Sequence, residues 1–371
     1  MGAKEKNIRV LLTGGGTGGH LFPAVATAQE FQKQMPATEV LFVGTRRKMD
    51  SRSLGMYGFA SESIRSYGLK GKSVLELLKA VAILPVSYLQ ALRIIRRFQP
   101  DIVVGVGGYV TGPVVAAAKS LGLPVVLHEQ NSVPGLANRK LGTLADRVCL
   151  SLPGSGSEFS ADKIVYTGNP VRTKILQLAG TSLPPKSGRK TLLILGGSQG
   201  AHAVNRLVSE AVCAFTDAEL QGIKVIHQTG EKDQEQVEAA YQQRGMDALV
   251  AGFFMKMDEV YAEADLVVSR AGATTLSELA VLGKPAILIP YPSAADNHQE
   301  KNGQYYVDGG GAVQYRQKDL NAEQLGIAIL DLMYNREKLS MMGAAMKALA
   351  FPDAAERIVA CCLEQIGKYR K

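Results

Sequence analysis

The chain has 371 residues, of which 46% are hydrophobic, 20% charged and 6% aromatic, with no tryptophan. This is the composition of a soluble globular protein, and the length exceeds what one ordinary core fills, so two domains are expected. Lys and Arg number 42 against 34 Asp and Glu, a net charge of +8, which suits nucleic acid, an anionic membrane surface or phosphorylated small molecules as partners.

In chain order, "MGAKEKNIRV" leads straight into a strand. No long apolar segment precedes it, so no signal peptide is read there, and Lys6 stands where a myristoylation signal wants Ser or Thr. Short apolar runs then alternate with helical patterns. "IRVLL", "EVLFVG", "IVVGVG", "PVVLHE" and "RVCLS" read as strands buried on both faces of a parallel sheet. Helices fall between most of them, notably over residues 24–34 and 75–98. Residues 180–190, "GTSLPPKSGRK", break the pattern with paired prolines and read as a linker. Alternation resumes with "TLLILGG", "KVIHQTG", "ALVAGF", "LVVSR" and "PAILIPY". The fold class is α/β, with a first domain over 1–179 and a second over 191–350.

Cys149, Cys213, Cys361 and Cys362 show neither metal-like nor disulfide-framework spacing, so reduced cytoplasmic thiols are expected. The basic clusters "TRRK", "RIIRRF" and "KYRK" are scattered, with no aromatic-interleaved RNA-binding signature, so nucleic acid is not expected as a partner.

The first strand runs into "TGGGTGGH", where Gly14, Gly16 and Gly19 fit the dinucleotide fingerprint G-x-G-x-x-G. The NAD form of that site wants an acidic residue at the end of the next strand. Here that place holds Gly44, Thr45, Arg46 and Arg47. Arginines suit NADP, so a reductase is a rival reading, and a plain strand-to-helix turn is the bland one. A second loop argues against both. Shifted by 181 positions, Gly15, Gly16, Thr17 and Gly19 fall on Gly196, Gly197, Ser198 and Gly200, again between an apolar strand and a helix. Two nucleotide-type domains with a cleft between them follow, with ligands at the carboxyl ends of the strands.

"TGGGTGGHLFPA", "GVGGYVTGP", "LHEQN", "GNPVR", "LGGSQGA", "RAGATTLSEL" and "DNHQEKN" occur in this order along nearly the whole chain. Together they closely resemble the MurG family of bacterial glycosyltransferases, which add N-acetylglucosamine to lipid I. The resemblance implies the GT-B architecture: two Rossmann-like domains with parallel sheets facing across a cleft. It also implies that the last helix, within 351–371, crosses back to the first domain. Asp353 is placed to cap that helix, and Ile358, Cys361, Cys362 and Ile366 lie near one face.

The resemblance further implies which residues bind. The donor, UDP-N-acetylglucosamine, falls to Thr17, Gly18, Gly19, Asn131, Arg172, Ser198, Phe254, Gln299 and the stretch Ala273, Thr274, Thr275, Leu276, Ser277 and Glu278. Backbone N–H groups with Thr274 and Thr275 suit a diphosphate. Glu278 accepts from ribose hydroxyls, unless it is an ordinary solvated helix glutamate. Phe254 reads uracil mainly through its backbone, its ring being equally well a core residue. Asn131 and Gln299 offer amides to sugar hydroxyls, although Asn131 also suits a turn. His298 contacts sugar or only shapes its loop. The lipid pyrophosphate falls to Gly14, Gly15, Gly16, Gly107, Gly108 and Tyr109.

The implied chemistry is direct displacement, turning an α-linked donor sugar into a β-linked product on the C4 hydroxyl of lipid I and giving lipid II for peptidoglycan. His20 is the first candidate for the base, with gripping the pyrophosphate as its alternative role. His128 and Glu129 are weaker candidates, while His202 and His227 look structural. No Asp-x-Asp occurs in the chain, so no metal and no other cofactor is expected; helix N-termini, Arg172 and hydroxyls are left to meet the charge on departing UDP.

Residues 80–92, "AVAILPVSYLQAL", carry no charge and are followed by Arg93, Arg96 and Arg97. Interrupted by Pro85, the run is too short to span a bilayer, which needs about 20 residues. It suits a peripheral contact with the anionic cytoplasmic leaflet of the cell membrane, or else a helix packed on its own domain. Cell-wall or division machinery are further partners to expect. A non-catalytic nucleotide-sugar scaffold is the second class of function; His20 and the acceptor loops argue against it.

Overall fold

The computed structural model of the chain describes residues 7–15, 18–45, 54–55, 57–66, 74–181, 188–197 and 200–370, with backbone alone over 74–81. Its contacts divide it into Met1–Arg172 with Phe351–Lys371, and Thr173–Ala350.

The first unit runs β1 (Arg9–Thr13), α1 (Gly18–Gln34), β2 (Glu39–Gly44), β3 (Ala60–Ser63), α2 (Val74–Phe98), β4 (Ile102–Gly105), α3 (Thr111–Ser120), β5 (Val125–Glu129), α4 (Leu136–Leu141), β6 (Arg147–Leu150) and β7 (Ile164–Tyr166). The strands form a parallel sheet in the order β3-β2-β1-β4-β5-β6-β7. The apolar runs make it because successive side chains point to opposite faces and both faces are covered. Val10 and Leu12 pack with Val25, Ala28 and Phe31 of α1. Leu11, between them, packs with Ile94 and Ile95 of α2 and Val114 and Val115 of α3.

The second unit runs α5 (Thr173–Ala179), β8 (Lys190–Leu195), α6 (His202–Cys213), α7 (Asp217–Gln221), β9 (Ile223–Gln228), α8 (Gln234–Gln243), β10 (Ala248–Ala251), α9 (Met257–Glu263), β11 (Leu266–Ser269), α10 (Ala273–Leu282), β12 (Ala286–Leu288), α11 (His298–Asp308), β13 (Ala312–Gln314), α12 (Ala322–Tyr334) and α13 (Arg336–Ala348). Its parallel sheet has the order β10-β9-β8-β11-β12-β13. In each sheet the first strand of the unit lies between the second and a later one. The connections leave on opposite faces there, which opens a crevice at the carboxyl ends of β1 and β4, and of β8 and β11.

The chain then returns. Helix α14 (Ala354–Tyr369) packs beside α1, burying Ile358, Val359, Cys361, Cys362 and Ile366 in the first unit's core. Asp353 stands before it without capping it; its carboxylate instead takes Arg357 Nε at 2.8 Å, one turn on.

Three strands lie outside the apolar runs read above: β3, β7 and β13 are short edge strands, and most of their residues are partly or fully exposed. Helix α1 starts at Gly18, ahead of the expected residue 24, and contains Pro23, a residue that usually marks a helix start rather than an interior. The division into units falls at Arg172 and Thr173, so α5 lies with the second unit, packed on α9 and α10. Of the expected linker, residues 182–187 lie outside the described residues, as do Arg46 and Arg47.

Ile358 is wholly buried, so Ile358→Ala should cost roughly 2–5 kcal/mol of stability through lost contacts and an unfilled cavity. Chemical denaturation monitored on the first unit measures this, and an unchanged midpoint would show that α14 is not part of its core.

Candidate active site

In the first unit, the loops after β1 and β4 interlock. A Cβ on Gly14 would lie 2.3 Å from Val106 Cγ2 and 2.9 Å from the Gly107 carbonyl oxygen. Gly108, at φ +90°, sits against the Gly15 carbonyl, where a Cβ would come within 2.9 Å. Only glycine allows this approach with that backbone conformation. His20 lies in the first turn of α1 with its ring over Gly107, Nε2 falling 3.2 Å from where a Cβ would be. Tyr109 is exposed beside these loops. Gly18 and Gly19 open α1, while Gly16 and Thr17 lie outside the described residues.

Beneath the loops lies a polar layer. His128, fully buried, has its pKa lowered to about 4, chiefly because burial disfavours the imidazolium; a bond to the Gly168 carbonyl opposes this and nearby His20 adds to it. Its Nε2 lies 3.3 Å from that carbonyl and its Nδ1 3.1 Å from Gln130 Nε2, which fits a neutral ring protonated on Nε2. Such an imidazole is a poor base near neutrality. The Glu129 carboxylate is also buried. It accepts from Asn131 N at 3.0 Å, Asn131 Nδ2 at 3.2 Å, Gly135 N at 3.0 Å and Asn138 Nδ2 at 2.8 Å. Those four bonds fix the loop carrying Asn131 and direct Glu129 to structure rather than proton transfer.

Arg172, the last residue of the first unit, is half-buried with its guanidinium 4.7 Å from the centre of the Phe22 ring.

In the second unit, Gly272 precedes α10 without a side-chain cap, and a Cβ there would meet nothing within 4 Å. The N–H groups of Ala273, Thr274 and Thr275 therefore begin the helix beside open space. Glu278, further along α10, is only 3% exposed, so it is no solvated helix glutamate. Tyr261 of α9 donates to its Oε2 at 3.0 Å. Leu276 is core, and Ser277 Oγ bonds back to the Ala273 carbonyl at 2.9 Å. Arg270, at the end of β11, spans to the Ile289 and Pro290 carbonyls at 3.0 Å each, tying β11 to the loop that follows β12.

That loop turns through Asp296 and Asn297, both left-handed at φ +53° and +56°, a costly conformation for residues with a side chain. It delivers His298 and Gln299 to the start of α11. Gln299 Oε1 accepts from Tyr291 N at 2.9 Å; His298 Nδ1 lies 2.7 Å from the Ala295 carbonyl. The N–H of Phe254 donates to Gln228 Oε1 at 3.1 Å, so reading a base through its backbone falls to its carbonyl, a narrower role than expected. Ser198 lies outside the described residues. His227 is buried between Tyr241 Oη at 2.9 Å and Asn205 Oδ1 at 3.2 Å, and burial lowers its pKa to about 3. His202 is exposed and lies 3.0 Å from Asp233.

The helices at the two crevices share one electrostatic feature, which the short helices α4 and α5 also show. Helices α8, α11, α12, α13 and α14 each carry a glutamate in the first turn, which neutralises the positive end of the dipole. Helices α1, α3, α6 and α10, which follow β1, β4, β8 and β11, have no acidic residue there. For α3, α6 and α10 no side chain caps the start either. Helix ends of this kind suit an anion. The glycines of these loops are legible in the sequence, whereas Tyr261 and Asn138 lie outside the motifs, and Gln130 and Phe22 lie within motifs without a signal for the residues they touch.

Family models match the chain in both halves: the N-terminal domain of glycosyltransferase family 28 over residues 10–150 and its C-terminal domain over 191–358. A Desulfotalea psychrophila protein named UDP-N-acetylglucosamine--N-acetylmuramyl-(pentapeptide) pyrophosphoryl-undecaprenol N-acetylglucosamine transferase is 58% identical over 360 residues, 97% of either chain. A Trichlorobacter lovleyi protein of the same name is 41% identical, covering 97% of this chain and 98% of its own. The crystal structure of Acinetobacter baumannii MurG matches with a TM-score of 0.75 at 31% identity, over 96% of this chain and 99% of that one. A putative UDP-N-acetylglucosamine 2-epimerase from Listeria monocytogenes, 16% identical over 98% of this chain and 97% of its own with a TM-score of 0.71, shares the fold alone.

Glu129→Gln should set an amide NH2 against donors that now meet an anion. A loss of roughly 1–3 kcal/mol in stability is expected, read by chemical denaturation. Wild-type stability would mean that the loop from Asn131 to Asn138 is held by other contacts.

Proposed function

The chain belongs to glycosyltransferase family 28, with its two-domain GT-B architecture, and we propose how its residues carry the family's transfer. It is an N-acetylglucosaminyltransferase that moves N-acetylglucosamine from UDP-N-acetylglucosamine to lipid I, the N-acetylmuramyl-pentapeptide pyrophosphoryl-undecaprenol, forming lipid II. The relatives' shared activity sets aside the NADP reductase and the non-catalytic scaffold.

The observation that carries the residue assignment is the start of α10, an acid-free helix end beside open space with a buried carboxylate further along it. The N–H groups at Ala273, Thr274 and Thr275 hold the donor diphosphate. Glu278, steadied by Tyr261, accepts from the ribose hydroxyls. Gln299 and Asn131 read the sugar, and Arg172 meets the nucleotide's charge. In the first unit, Gly14, Gly15, Gly107 and Gly108, with the acid-free ends of α1 and α3, hold the lipid pyrophosphate.

The C4 hydroxyl of the N-acetylmuramyl sugar attacks C1 of N-acetylglucosamine. Its proton passes to His20, and the C1–O bond to UDP breaks with both electrons going to the β-phosphate oxygen. Attack opposite the leaving group inverts C1 from α to β. The helix ends and Arg172 stabilise the charge on UDP, with no metal needed. His20 suits the base role because its neighbours leave no rival: His128 is held neutral with a low pKa, and Glu129 is saturated by donors.

Helix α2 supports a peripheral membrane contact on the cytoplasmic side. Among the described residues no helix is long and apolar enough to cross a membrane. Ala82, Val86, Leu89, Arg93 and Arg96 recur at helical spacing and are exposed, Leu89 by 63%, while Ser87, Ala91, Ile94 and Ile95 face inward. Arg97 is paired with Glu62, so of the three arginines Arg93 and Arg96 carry the attraction to anionic lipid.

Two measurements test these assignments. His20→Ala should lower turnover by about 10²–10⁴ while affinity for UDP stays nearly constant; a loss confined to the acceptor's KM would make His20 a pyrophosphate ligand, and undiminished transfer would remove it from the site. The assay should run equally in EDTA, and a chelator-sensitive rate restored by a divalent ion would overturn the metal-free scheme.

Replacing Arg93 and Arg96 together with Gln should weaken binding to anionic vesicles roughly 10- to 30-fold at low salt, since each is worth about 1 kcal/mol near such a surface. High salt should mimic the change, and Arg97→Gln should do less. Equal sedimentation of double variant and wild type would place the contact elsewhere.

A further inference from the structure

Phe22 has no assigned part in the transfer, yet its ring joins two groups that do. On one side it folds back over the first turn of α1: a Cβ on Gly18 would lie 3.1 Å from Phe22 Cε2. The Arg172 guanidinium lies 4.7 Å from the ring centre, well inside the roughly 6 Å over which a cation is drawn to an aromatic face. Phe22 is only half-buried, and Pro23 follows it inside the helix. A ring kept for packing alone would belong with the core cluster of α1, which holds Leu21, Ala24, Val25, Ala28 and Phe31 but not Phe22.

The electrostatics make the arrangement unusual. The first turn of α1 is a positive end without an acidic residue, and a guanidinium brought near it is repelled. A long arginine is also mobile, with several rotamers to lose before it can act. The face of an aromatic ring carries partial negative charge, which attracts the cation without neutralising it.

We infer that Phe22 is a positioning residue for donor recognition, its ring helping to hold the Arg172 guanidinium ready for the nucleotide's diphosphate. The inference rests on the assignment of Arg172 to the donor made above. It makes one side chain of the acceptor-binding helix a determinant of donor affinity.

The test replaces Phe22 in the full-length protein with mono-, di- and trifluorinated phenylalanine, which drain charge from the ring face with little change of shape. The Kd for UDP and the KM for UDP-N-acetylglucosamine should rise steadily along the series, reaching roughly 3- to 30-fold, with kcat much less affected. Phe22→Leu should match the end of the series and Phe22→Trp should restore affinity. Constant values along the series, with Arg172→Ala still weakening UDP binding, would overturn the inference and leave the role of Arg172 intact. If Arg172→Ala also left UDP binding unchanged, the donor assignment of Arg172 would fall as well. Because the fluorinated rings keep the packing, the series decides the matter even if Phe22→Leu fails to fold.

Discussion

The N–H groups in the first turn of a helix have no partner inside that helix, and what this protein offers a ligand depends on which helix starts carry no acidic residue of their own. Both sheets place the first strand of their unit centrally, so the connections after β1 and β4, and after β8 and β11, diverge to opposite faces. Helices α1, α3, α6 and α10 begin in the gaps so formed, without acidic first turns. Elsewhere the chain supplies its own compensation, as where Thr216 and Asn321 form capping boxes at α7 and α12. The glycines are a consequence of the same geometry. Loops that approach as closely as Gly14 to Val106 cannot carry side chains, and their absence keeps the helix ends open to an anion.

Two buried carboxylates show how differently the fold can use one chemical group. A charge removed from water must be met by donors or it is lost to protonation. Glu129 accepts four hydrogen bonds from its own following loop, so its charge organises residues 131–138. Glu278 accepts from the Tyr261 hydroxyl of a neighbouring helix, so its charge joins two helices rather than ordering a loop. Neither environment follows from the residue type.

The legible parts of the sequence were those governed by local pattern. Central strands such as β1 and β4 are buried on both faces, and their apolar runs say so. The edge strands β3, β7 and β13 are half in water, and "ASES" has nothing in it that names a strand. Proline at 23 concealed the first turn of α1, which is the turn that holds His20. At the site, motif residues could be listed, but their environments needed the third dimension. That Glu278 is buried depends on packing around α10; that the Phe254 N–H is engaged depends on Gln228; that Arg97 is paired depends on Glu62, 35 positions away.

The return of α14 to the first unit orders the birth of the molecule. Sheet β1 to β7 leaves the ribosome ahead of α14, and the core between it and α1 lacks Ile358, Val359, Cys361, Cys362 and Ile366 until that helix is made. The second unit is contiguous in the chain and has all its strands and helices by Ala350. Folding during synthesis normally proceeds from the N-terminus; here that order is reversed for final closure. The sheet translated ahead of the second unit is completed after it, and until then the side of α1 that meets α14 stands without its cover.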